Sequence, residues 1–102
     1  MSYTPFQNQI LPRLIQEWNY TEEDAAAVAL ELEQATPQVR EAFQVWWATQ
    51  QPCELEIQGY TVASLMQEFQ MNPIAAFLTL DWLMQEPESA LAALAEGYDV
   101  II

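Results

Sequence analysis

Capping residues mark the starts of several helices along this chain. Because these starts lie close together in the sequence, the chain can form only short helices. The pair Tyr-Thr stands directly before a helical pattern three times, at residues 3–4, 20–21 and 60–61. Threonine at that place can act as the N-cap, because its hydroxyl accepts a hydrogen bond from a backbone N–H that the helix leaves unpaired. Proline is favoured at the first helical position, so the Thr-Pro pair at residues 36–37 and the Asn-Pro pair at residues 72–73 mark further starts.

The apolar residues behind these starts recur every three or four positions, which is the period of a helix that packs by one face. The helices predicted in this way are residues 5–18, 22–35, 37–50, 62–69, 73–85 and 87–96. The fifth differs, because only Thr79, Asp81 and Gln85 interrupt its apolar residues, and we expect it to be central to the fold or covered by a partner. We therefore predict a single acidic all-α domain over residues 1–102, a compact bundle of five or six short helices.

One segment follows a different period. Cys53, Leu55 and Ile57 alternate with polar residues up to Gly59, which is the rhythm of a short half-buried strand. The residues at 98–102 also favour β-structure and could pair with this segment. The sequence thus allows a small two-stranded ribbon beside the helices.

Residues 61–83 resemble a helix-turn-helix unit. Apolar residues in a first helix, a short joint and a second apolar helix that opens at Pro73 follow the order in which such units place core residues around a tight turn. With the two predicted strands, the order also resembles a winged helix. Gln70 stands where a glycine commonly makes the turn, and the second helix offers Thr79 and Asp81 in place of Arg, Lys or Asn for reading bases. The resemblance therefore implies a helix-turn-helix protein that no longer binds DNA.

The charge of the chain excludes several classes of function. Arg13 and Arg40 are the only cations against fifteen Asp and Glu residues, which gives a net charge of −13. Nucleic acids and anionic lipids attract Lys and Arg, so we expect no direct contact with DNA, RNA or membranes. Histidine, the commonest general acid or base, is absent, and the sequence has no zinc-ligand set, calcium loop or glycine-rich phosphate loop. We therefore predict a protein that is not an enzyme and that uses no metal or other cofactor.

The sequence also carries expectations about the compartment. Cys53 is the single cysteine, so no disulfide forms within the chain, and the N-terminus does not resemble a secretory leader. The longest apolar stretch, residues 74–84, is about half of the roughly 20 residues that cross a bilayer. We expect a cytoplasmic protein.

Tryptophans are the strongest candidates for a contact surface. Trp46 and Trp47 are adjacent on a predicted helix and therefore point about 100° apart. Either both are core residues or one faces a partner, and Trp82 is the third candidate for an interface. A separate candidate is a buried ion pair, because Asp81 is isolated in an apolar helix and Arg40 has no acidic residue three or four positions away on its own helix.

These observations favour a non-enzymatic interaction or regulatory module, whose apolar and aromatic surface binds a protein while an acidic shell selects basic partners. If the double-Trp face or the fifth helix is not covered within one chain, a homodimer is expected there. An alternative is an acidic mimic of nucleic acid that inhibits a DNA- or RNA-binding protein. The helix-turn-helix protein without DNA binding is the third hypothesis.

Overall fold

A computed structural model describes residues 3–96 of the chain. Within this part the chain forms six helices and no strand, which confirms the all-α fold class. The helices are α1 (Pro5–Trp18), α2 (Glu22–Glu33), α3 (Pro37–Thr49), α4 (Val62–Phe69), α5 (Pro73–Gln85) and α6 (Pro87–Ala95). Among the described residues, no helix combines the length and the apolar character needed to cross a bilayer.

Five helices begin at the capping residues that the sequence marks, and in all of these except α3 the side chain of the N-cap makes a capping bond. The four bonded N-caps are Thr4, Thr21, Thr61 and Asn72, whose side chains accept backbone N–H bonds of 3.2, 3.1, 3.1 and 2.8 Å. In α1 and α4 the third helical residue also bonds back to the N–H of the N-cap, which closes a capping box. These bonds join residues three apart, so the sequence alone is enough to predict them.

The chain divides into two compact units between Gln34 and Ala35. The first unit contains α1 and α2, which pack against each other. The buried apolar residues of these helices are Ile10, Leu14, Ala25, Val28, Ala29 and Leu32. Two of them are alanines four residues apart on α2, which permits a close approach between helices. The single domain expected over residues 1–102 stays a prediction.

Helix α5 is the centre of the second unit. It contacts α3, α4 and α6, and every residue from Ile74 to Leu80 is buried. A helix that is covered on several sides has no polar face, which explains its nearly continuous apolar sequence. Of the two expectations for α5, a central position or cover by a partner, the structure shows a central position within this unit.

The prediction of a strand at residues 53–58 is wrong for the described part of the chain. The only pairing there is a single bridge between Ile57 and Tyr60. Gln58 and Gly59 have φ values of 54° and 84°, the positive pair typical of a type I′ turn. After Tyr60 the chain enters the cap of α4 directly, so the turn is not followed by a second strand that could pair with residues 53–56. The residues at 98–102, proposed as the other half of a ribbon, lie outside the described residues.

The helix-turn-helix order is present in α4, the joint and α5, and most of its second helix is buried. Gln70 makes the turn with φ 59°, the left-handed conformation that glycine adopts most easily. Thr79 is only 1% exposed, and its hydroxyl donates to the backbone oxygen of Ala75 at 2.8 Å. Since α5 is buried and residues 3–96 contain no strand, the winged-helix alternative is wrong for the described part of the chain.

Candidate binding groove

Four aromatic rings pack together in the second unit. The ring of Phe43 on α3 has its centroid 6.0 Å from Trp46 and 5.3 Å from Trp47. It also meets Phe77 of α5 edge to face, with centroids 5.4 Å apart. Both tryptophans are 9% exposed. Of the two readings of the adjacent tryptophans, the structure therefore shows the one in which both are buried.

An open groove of about 300 Å³ lies between α3 and the segment that follows it. Ala42, Val45 and Trp46 form one wall, because residues three and four apart share a face of a helix. Residues 51–55 form the other wall. The side chain of Val45 is 60% exposed. The groove thus places an uncovered apolar residue beside the edge of the aromatic cluster.

The second wall keeps the alternation of a strand, although no described residue pairs with it as a strand. Cys53 and Leu55 are half-buried, whereas Glu54 and Glu56 are exposed. The backbone N–H and C=O groups of residues 53–56 make no hydrogen bond to any described residue. Backbone groups that have no bond within the described part of the chain are open to water or to a further partner.

The end of this wall is fixed by the turn that follows. Ile57 donates its N–H to the oxygen of Tyr60 at 2.9 Å, and Tyr60 donates back at 3.0 Å. Ile57 is itself buried. The alternating segment is therefore anchored at its C-terminal end.

The groove carries negative charge. Glu54 is the charged residue among those that line it, and Glu41 and Glu56 are exposed next to lining residues in the sequence. Arg40, the cation of α3, is not among the lining residues. What the groove offers chemically is apolar contact together with negative charge.

The carboxylate of Asp81 has donors on two helices, and its predicted ion pair with Arg40 stays a prediction. Its Oδ1 accepts from the backbone N–H of Thr36 at 2.8 Å and from the Thr36 hydroxyl at 3.0 Å. Its Oδ2 accepts from the side-chain amide of Gln85 at 2.6 Å. Thr36 is the N-cap of α3, so the carboxylate lies at the positive end of a helix and is stabilised there by the helix dipole.

The remaining candidate, Trp82, is half-buried on α5 and is not among the groove-lining residues. The residues that sequence reasoning missed are Val45 and the segment 51–55. The apolar arc of α3 was the available signal, since Val45 widens it beyond the face that packs inward. The sequence pattern does not show that residues 51–55 lie beside this face of α3.

No protein-family model matches this chain, and comparison with curated proteins and with solved structures found no significant match.

Proposed function

We propose that this protein is a non-enzymatic binding module whose groove receives apolar side chains from a basic segment of a protein partner. The observation that carries the proposal is the 60% exposure of Val45 beside the buried ring of Trp46. Apolar pockets of this kind take the anchor residues of a partner, and a few anchors supply most of the binding energy. A volume of about 300 Å³ is at the small end of ligand pockets and suits one or two side chains.

Charge supports a basic partner over a second copy of the chain. Each molecule carries −13, so two copies repel each other, whereas a cationic segment is attracted and steered toward the surface. Trp46, Trp47 and the core residues of α5, from which a homodimer was expected, are buried within one chain. Self-association is therefore an outcome to test, by light scattering against the chain mass of 11.7 kDa.

A peptide selection tests the proposal without knowledge of the natural partner. A random peptide library is displayed and selected on the immobilised protein, and recovered peptides are then measured against the variant Val45→Gln. Because Val45 is mostly exposed, the substitution should leave the fold intact while removing apolar contact from the groove. We expect the recovered peptides to combine Lys or Arg with apolar residues, and to bind Val45→Gln at least about fivefold more weakly, a loss of roughly 1 kcal/mol.

Leu30→Gln is the matched control, because Leu30 is also an exposed apolar residue of a helix, at 44%, but belongs to α2. The control should bind the peptides like the unmodified protein. Peptides that bind all three proteins equally would contradict a role for the groove. If such binding also disappeared in about 0.5 M NaCl, where the Debye length is only a few ångströms, the acidic-mimic hypothesis would be favoured instead.

A further inference from the structure

We propose that the partner's segment binds as an added β-strand along residues 53–56, with alternate apolar side chains in the groove and alternate basic side chains beside Glu54 and Glu56. The inference rests on the proposed function and adds the conformation and the side-chain pattern of the ligand.

The first argument concerns the backbone. Residues 53–56 have the two-residue alternation of a strand, with Cys53 and Leu55 half-buried and Glu54 and Glu56 exposed. Their backbone donors and acceptors are not bonded to any described residue. In β-strand addition, an extended peptide supplies these missing bonds, and pockets for alternate side chains give specificity.

The second argument concerns the place of the segment. Residues 53–55 belong to the groove wall that faces Val45 and Trp46. A strand that pairs with this wall would place every second side chain on the same face as Cys53 and Leu55. Within the described residues, the unbonded backbone edge and the apolar groove therefore lie within reach of one and the same peptide.

The size of the groove favours a strand over a helix. An α-helix with its side chains is about 10–12 Å wide, so a helix-binding groove has to be long and broad. The volume of about 300 Å³ holds side chains and not a helix. An extended segment fits because only its alternate side chains have to enter.

Charge decides which strand can bind. Glu54 and Glu56 are two residues apart and both exposed, so cations at alternate positions of the incoming strand can lie beside them. A second copy of the same segment would bring glutamates together, and Pro52 lacks the N–H for one further bond. The segment therefore disfavours pairing with itself and accepts a basic partner.

The test uses the full chain and a defined probe, an end-capped peptide of roughly seven residues in which Lys and Val alternate. Amide NMR spectra should show shifts at Val45 and at residues 53–56. Hydrogen exchange should slow at least about tenfold at alternate amides of that segment, because only every second N–H faces the added strand. A peptide of the same composition with its lysines clustered, and one with Glu in place of Lys, should bind at least about tenfold more weakly.

Two N-methylated forms of the probe provide the decisive comparison. One carries N-methyl groups on its valines and the other on its lysines, so that each removes the N–H donors from one edge of the strand. Strand addition predicts that one form loses at least about tenfold in affinity while the other binds like the parent peptide. Equal affinities of the two forms, or unprotected amides at residues 53–56 in the bound state, would overturn strand addition.

The two proposals fail in different ways. If binding of the probe and of the selected peptides is weakened by Val45→Gln but both methylated forms are equal, the groove function stands and strand addition falls. If neither the probe nor the selected peptides depend on Val45, the groove function falls and strand addition falls with it.

Discussion

At the scale of single residues, two carboxylates bind threonines that cap helices. Asp81 of α5 accepts from the backbone and the hydroxyl of Thr36, the N-cap of α3. Glu33 of α2 accepts from the hydroxyl of Thr4, the N-cap of α1, and from the side-chain amide of Gln7 at 3.3 Å. In each pair the acid comes from another helix of the same unit and lies at the positive end of a helix dipole. These donors allow a chain with two cations to hold partly buried acids.

Removing the carboxylate of Asp81 should destabilise the protein. Asp81→Ala leaves the N–H of Thr36 without its acceptor and removes charge-assisted bonds, so we expect a loss of about 1–3 kcal/mol of unfolding free energy. Asp81→Asn keeps one acceptor oxygen and should lose about half as much. Urea denaturation measures the differences.

Glu41→Ala is the control for the charge change, because it also removes one negative charge and lies exposed in the middle of α3. It should change the unfolding free energy by less than about 0.5 kcal/mol. If Asp81→Ala behaved like this control, the contact with Thr36 would not stabilise the fold.

At the scale of elements, several helices end in a left-handed residue that is not glycine. Asn19, Gln50 and Gln70 have φ values of 60°, 59° and 59° at the C-caps of α1, α3 and α4. Gln50 gains from its side chain, which donates to the backbone oxygens of Trp46 and Trp47 at 3.4 and 3.3 Å. Gln70 makes no such side-chain bond to a described residue. The conformational cost at this joint is therefore not offset by a side-chain contact.

Gln70→Gly should stabilise the protein. Glycine adopts the left-handed conformation without the clash of a Cβ atom, a difference of roughly 1 kcal/mol that its greater freedom in the unfolded state partly offsets. We expect a net gain of about 0.5 kcal/mol in the unfolding free energy, measured by urea denaturation.

The comparison for this prediction is Gln67→Gly, at an exposed position inside α4. Glycine inside a helix costs about 1 kcal/mol relative to good helix formers, so this variant should be destabilised. A Gln70→Gly protein that loses as much stability as Gln67→Gly would show that the left-handed turn carries no strain.

At the scale of the whole molecule, the net charge of −13 on a chain of 102 residues is the dominant property. Arg13 and Glu17 form an ion pair at 2.6 Å on the surface of α1. Exposed pairs of this kind contribute little to stability. Repulsion among the acids therefore acts against the folded state and is reduced by salt.

Raising NaCl from about 0.02 M to about 0.2 M should stabilise the fold, because the Debye length falls from roughly 20 Å to below 10 Å. We expect a gain of about 1 kcal/mol, which corresponds to roughly 4–8 °C in Tm for a domain of this size. Circular dichroism melts measure it, and KCl and choline chloride at equal ionic strength separate screening from binding of a particular ion. A Tm that stays constant or falls would mean that repulsion between the acids does not limit stability.

The sequence by itself determined the fold class and the places where helices begin, because capping bonds and helical periods join residues only three or four apart, as in Thr61 with Ser64. It also determined the charge and hence the classes of partner that we expect. Tertiary structure decided the partner of Asp81, which lies 45 positions from Thr36, and the joint burial of Trp46 and Trp47 with Phe77. It also decided that, within residues 3–96, no strand pairs with residues 53–56 and Val45 is 60% exposed. These outcomes depend on which distant segments meet, and a local pattern does not contain that information.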